Sequence, residues 1–152
     1  MPNRRNVLFI GIGLAGIAVM PGLAFGQQLE IYTTSEGVAI NGYDPVAYFL
    51  AGDSVAGSRD FSLDWRGAKW LFSSQENRDL FEAGPEDYAP QYGGYCAFAV
   101  AYGSTASTDP AAWSIHKGKL YLNFSLGVRE RWRQDPDKFI ELADANWPGV
   151  LE

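Results

Sequence analysis

Two stretches of alternating apolar and polar residues, each folded about a turn that ends in glycine, constrain this chain more than any other feature. The first runs from Arg59 to Phe72 about Arg66-Gly67. Pairing Trp65 with Ala68 sets Leu63 opposite Trp70 and Phe61 opposite Phe72, with all six on one face. Ser62, Asp64 and Lys69 fall on the other face, where Asp64 and Lys69 form a cross-strand ion pair. The second turns at Lys117-Gly118, with Ile115 facing Leu120 and Trp113 facing Leu122 on an apolar side. Ser114, His116, Lys119 and Tyr121 share its polar side.

Helices follow both hairpins. Ser73-Ser74-Gln75-Glu76 reads as a capping box, Leu80 and Phe81 supply a buried side, and Gly84-Pro85 ends the helix. The tail predicts helices over Leu126 to Gln134 and Pro136 to Trp147, the latter capped by Asp135 and stopped by Pro148-Gly149. Upstream, Leu29 to Thr34 alternates weakly and predicts a first strand. Asn41-Gly42 marks a turn, and Asp44-Pro45 opens a short helix to about Ala51. Two hairpin-plus-helix units point toward an internal duplication, but matching residues are too sparse to establish one. The expectation is a single small α+β domain: two antiparallel hairpins forming a sheet, with several short helices packed on it.

The first 26 residues read differently. Met1-Pro2-Asn3-Arg4-Arg5-Asn6 precedes an apolar run from Val7 to Met20, then Ala24 and Gly26 at the −3 and −1 positions of a cleavage site. That run is too short to span a bilayer, which takes about 20 residues. Arg4-Arg5 followed by Val7-Leu8 resembles a twin-arginine signal, with Asn3 as the preceding polar residue and Phe9 in place of the usual lysine. The expectation is a periplasmic or exported protein with no stable membrane span after cleavage, its domain covering 27–152. The full chain carries a net charge of −6, and losing both arginines and no acid takes it to −8. That balance opposes nucleic acid and anionic membrane as partners. Aromatic residues make up 14% of the chain, which predicts an aromatic core or an aromatic-lined pocket.

Cys96 is the only cysteine, so no internal disulfide can form. The sulfur is therefore free, liganded, paired to another chain or packed as a small apolar group. Gly93-Gly94 permits a sharp bend beside it, Tyr92 and Tyr95 flank it, and Ala97 to Ala101 is an apolar run. If that run is a helix, its N-terminus would lower the thiol pKa; if Cys96 is merely packed, it is a small hydrophobe. His116, beside a solvent-facing turn, reads as a surface histidine rather than the partner in a Cys-His dyad. Capping accounts for Asp44, and a ligand role would be additional. Tyr43-Asp44 and Tyr92 through Cys96 are both turn-like and aromatic, and such segments meet in pockets as often as in cores.

Taken together, Asn41-Gly42-Tyr43-Asp44-Pro45-Val46-Ala47-Tyr48-Phe49, Gly67-Ala68-Lys69-Trp70-Leu71-Phe72-Ser73-Ser74-Gln75-Glu76-Asn77, Tyr88-Ala89-Pro90-Gln91-Tyr92-Gly93-Gly94-Tyr95-Cys96-Ala97, Trp113 and Gly118 to Asn123 resemble the exported YHS-domain proteins of bacteria. The resemblance covers most of 27–152. It implies an association with transition-metal handling, but the cysteines of metal-binding members match Ala47, Ser73 and Asn77 here, so their thiolate site is absent. Some relatives in the exported branch carry selenocysteine at the position matching Cys96, which implies a reactive or coordinating role for that position. The functional expectation is a binding module in which Cys96, with Tyr92, Gly93, Gly94, Tyr95, Tyr43 and Asp44, holds a small ligand or a soft metal, copper or zinc. The alternatives are a single-cysteine thiol redox protein and a non-catalytic structural or partner-binding domain. No catalytic constellation is identifiable.

Overall fold

The computed structural model describes residues 28–152, so the leader expected over 1–26 lies outside the described residues. A 3-10 turn at Ile40–Gly42 leads into α1 (Ala47–Leu50), the hairpin β1 (Ser58–Trp65) and β2 (Ala68–Phe72), then α2 (Gln75–Ala83) and α3 (Pro85–Tyr88). A second 3-10 turn at Gln91–Gly94 leads into α4 (Ala97–Ala101), the hairpin β3 (Trp113–His116) and β4 (Lys119–Leu122), then α5 (Leu126–Arg133) and α6 (Pro136–Asn146). The chain is a single α+β domain in which each hairpin keeps its own two-stranded antiparallel ladder. Segment 29–34 is not a strand. It contributes one bridge, Thr33 to Ala39, while Ala39 N–H donates to the Lys69 carbonyl at 2.8 Å and covers the edge of β2.

Both hairpin turns put two residues in the left-handed region, Arg66 and Gly67 at φ 49° and 76°, Lys117 and Gly118 at 51° and 77°. This turn carries the right-handed twist of the flanking strands, and it fixes the register. Trp65 pairs with Ala68, Leu63 with Trp70 and Asp64 with Lys69, whose charges meet at 3.1 Å. Phe61 does not pair with Phe72. An irregularity between Ser58 and Ser62 sets Phe72 opposite Ser58 instead. Gly57 N–H is bonded to the Gly42 carbonyl at 2.8 Å, so the start of β1 follows that loop rather than the ladder. In α2, Ser74 is the cap and accepts from Asn77 N–H, Phe81 is fully buried, and Leu80 is 40% exposed.

The second hairpin buries residues on both of its faces. Leu120 and Leu122 enter the first core with Trp70, Phe72 and Phe81. Alternation sends Tyr121 to the opposite side, expected to be polar, where it is buried in a second core with Trp132, Phe139 and Val100. Ser114 is buried there too, its hydroxyl accepting from Arg133 Nε at 3.0 Å. Helices α5 and α6 cover that side, which the alternation alone could not reveal. Ile115 is left partly exposed.

The two hairpin units are repeats. A shift of 51 residues carries Arg66-Gly67 onto Lys117-Gly118, cap Ser74 onto cap Ser125, Phe81 onto Trp132 and Pro85 onto Pro136. Side-chain geometry follows. Trp70 and Phe81 lie 5.1 Å apart at 32°, and Tyr121 and Trp132 lie 5.0 Å apart at 35°. Trp65 meets Phe81 edge-on at 89°, and His116 meets Trp132 at 85°. One inserted residue upstream makes the shift 52 for Gly42-Tyr43-Asp44, which falls on Gly94-Tyr95-Cys96, with φ of 80° at Gly42 and 86° at Gly94.

Candidate functional site

Asp44 is completely buried and all of its capacity is used within the fold. One carboxylate oxygen accepts from the N–H groups of Val46 and Ala47 at 2.9 and 3.3 Å. The other accepts from Ser73 N–H at 2.8 Å, Ser73 Oγ at 2.6 Å and Asn77 Nδ2 at 2.8 Å. Five donors fill the lone-pair directions that a carboxylate offers. Asp44 joins the start of α1 to the corner between β2 and α2, and the expected ligand role has no free oxygen to work with.

Cys96 occupies the equivalent place in the second repeat. Phe124 N–H donates to its sulfur at 3.3 Å, as Ser73 N–H does to Asp44, 51 positions earlier. The N–H groups of Phe98 and Ala99 face the sulfur as those of Val46 and Ala47 face the carboxylate. The side-chain donors are not repeated, since Phe124 stands for Ser73 and Val128 for Asn77. Instead Asn123, fully buried where the first repeat has the equally buried Phe72, accepts from the thiol at 3.6 Å and from Phe98 N–H at 3.1 Å. The Nδ2 of the same amide is buried without a partner.

Burial pushes the Cys96 thiol pKa up, and the three backbone N–H groups, which favour thiolate, only partly offset it. A helix of five residues carries too short a dipole to reverse that balance. The helix at Ala97 was expected to bring a lowered pKa; the helix is there, and the pKa moves the other way. The residue is 1% exposed, and its resting form is a neutral thiol.

The remaining expected site residues divide between the core and a cleft. Tyr95 donates its hydroxyl to the Leu29 carbonyl at 2.7 Å and packs its ring against Tyr32 and Trp147. Gly94 lies against Ile40, and its carbonyl accepts from Thr108 Oγ1 at 3.0 Å. Tyr43 bridges to Ala56. The two glycine-tyrosine segments therefore do touch, through Ile40 and Gly94, but Asp44 and Cys96 face different partners and form no common site. His116 bonds Asp137 at 2.8 Å, away from the sulfur's partners.

Tyr92 and Gly93 line a cleft of about 510 Å³. Its walls combine both repeats: Trp65, Arg66 and Glu86 from the first, Lys119, Asp144 and Trp147 from the second, and Glu30 from the N-terminal segment. Tyr92 is held at φ 58° and donates its hydroxyl to Asp144 at 2.8 Å. Burial and that carboxylate push its pKa far up, so it stays a neutral donor. Gly93 is needed for contact, because a Cβ would overlap the Glu30 carbonyl. Arg66 lies 4.4 Å above the Trp65 ring and bonds Glu86 at 2.8 Å. Trp65-Arg66 and Lys119 lie at hairpin tips far apart in sequence, so only the repeat geometry brings them together.

Among the described residues no group of three or more His, Cys, Asp or Glu side chains is arranged to hold a metal ion, and no helix is long and apolar enough to cross a membrane. No family model, curated protein or solved structure matches the chain.

Proposed function

We propose that the chain is an exported YHS-like binding module that takes a small organic ligand in the cleft between its two repeats. The observation that carries this reading is the composition of that cleft. Trp65, Trp147 and Tyr92 offer apolar and aromatic surface, while Lys119 and Asp144 offer charges of both signs in one concavity of about 510 Å³. A ligand with a flat apolar body and a charged substituent fits that chemistry. Export rests on the leader, and the YHS kinship rests on the motif resemblance.

Copper or zinc at Cys96 is the weaker version of the binding reading. One sealed sulfur and a carboxylate already holding five hydrogen bonds do not make a donor set. The redox alternative in its simple form calls for a lowered thiol pKa, against the direction that burial imposes.

The test is a thermal-shift screen of the protein lacking 1–26 against small organic acids, amines and zwitterions, with Cu(I) and Zn(II) in parallel. A stoichiometric organic ligand is expected, its affinity falling at least about tenfold in Lys119→Ala or Trp147→Ala and unchanged in Cys96→Ser. Stoichiometric metal binding abolished by Cys96→Ser would return the site to the sulfur.

A further inference from the structure

The caps of the two repeats differ in one respect that bears on chemistry. Asp44 presents a two-oxygen anion one methylene away from its backbone, and the fold surrounds it with three backbone N–H groups and the Asn77 amide at 2.8 Å. Cys96 presents a bare sulfur, one methylene away from its backbone, to the same three backbone positions. An amide again lies beside it, that of Asn123, but here the Nδ2 donor has nothing to bond although the residue is fully buried. A buried unpaired amide donor costs about 1–3 kcal/mol, so it calls for an acceptor. The sulfur does not take it, because the amide turns its Oδ1 and not its Nδ2 toward the thiol, at 3.6 Å.

A cysteine sulfinate has the connectivity of aspartate, with sulfur in place of the carboxyl carbon. We propose that Cys96 is a site of oxidation by hydroperoxides, carried in the folded protein to a sulfinate that fills its cradle as the Asp44 carboxylate fills the other. In the first step the thiol gives up its proton, and the minor thiolate form, which the three N–H groups favour against burial, attacks the peroxide. An S–O bond forms as the O–O bond breaks, and the departing oxygen takes up that proton and leaves as water or alcohol. This gives a sulfenic acid: sulfur loses two electrons and the peroxide gains them. The chain holds no second cysteine to trap that intermediate as an internal disulfide. A second peroxide transfers another oxygen in the same way, and the sulfinic acid releases its proton to solvent. Turning the Asn123 amide then gives one sulfinate oxygen the orphan Nδ2 donor. It also frees Phe98 N–H from the amide oxygen for the sulfinate, the bond that Val46 N–H makes to Asp44 at 2.9 Å. Access is restricted to small oxidants, since Cys96 is 1% exposed and Phe124 beside it is 54% exposed.

The experiment treats the reduced, folded protein with hydrogen peroxide and maps its peptides by mass spectrometry, with a sulfenic-acid trap in a parallel arm. The expected result is a Cys96 peptide that gains two oxygens, and an unfolding midpoint raised by roughly 4 °C or more over the reduced protein. Asn123→Leu, which removes the donor, should lose that rise. Cys96→Asp, which installs the anion without oxidation, should unfold at a higher temperature than its neutral counterpart Cys96→Asn. Recovery of Cys96 as a thiol after native treatment would overturn the proposal. So would an oxidised protein less stable than the reduced one, or a Cys96→Asp protein that is less stable than Cys96→Asn or fails to fold.

Discussion

In the first repeat, Asp44, Ser73 and Asn77 lock the start of α1 to the following hairpin with charge-assisted hydrogen bonds. In the second, Cys96, Phe124 and Val128 stand at the same places, and a sulfur at 3.3 Å from one N–H does the joining. The backbone positions coincide while the chemistry does not. What is kept is a concave set of three N–H groups, and what varies is the acceptor placed in it. The neutral sulfur gives a weaker lock than the carboxylate, while the aromatic pairing beside it, Tyr121 on Trp132 against Trp70 on Phe81, is nearly the same in size and geometry.

Substitutions at equivalent positions of the two repeats put this contrast to the test. The largest losses are expected where the repeats are alike: Phe81→Ala and Trp132→Ala should each cost about 3–5 kcal/mol in urea unfolding, because both side chains are essentially fully buried. A large loss in one and a small loss in the other would show that only one core holds the domain. Asp44→Ala should follow at about 3–4 kcal/mol, since it strands the buried N–H groups of Val46 and Ala47. Cys96→Ala should cost only about 1–2 kcal/mol. Equal costs for these two would end the claim that carboxylate and sulfur lock with different strength.

An alkaline titration separates the two caps further. The unfolded thiol ionises near its ordinary pKa of 9.0, whereas burial raises the folded value. Stability from this group is therefore whole below about pH 9 and falls as pH rises from there through the folded pKa. Tyr92, Tyr95 and Tyr121, also raised by burial, add losses that begin about one unit higher. The stability difference between the protein and Cys96→Ser should accordingly shrink from about pH 9 upward, and a difference that is flat with pH would mean that the sulfur is not desolvated. The smallest effect is expected at Lys69→Ala, about 0.5 kcal/mol or less, because its pair with Asp64 is solvent-exposed.

The hairpins were legible in the sequence because turn chemistry and alternation constrain the same register. Trp65 with Ala68 and Ile115 with Leu120 follow from local rules alone. Phe61 against Phe72 failed where a loop contact at Gly57 overrode the ladder. Tyr121 was misplaced because period-two alternation marks two faces without saying whether both are covered. The candidate site was harder to read. Aspartate and cysteine share no composition signal, and the inserted residue that changes the shift from 51 to 52 hides their equivalence from any fixed-period comparison. Tyr92 and Gly93 were recognisable as special from their glycine-rich setting, but their cleft partners Lys119, Asp144 and Trp147 come from elements that only tertiary packing brings near.

The strand β4 gives Leu120 and Leu122 to one aromatic cluster and Tyr121 to the other. A chain severed near residue 89 would thus leave its leading half with an open wound of Trp70, Phe72 and Phe81, its natural cover gone with the trailing half. Repetition has made two units here, and a single strand is common property of both interiors.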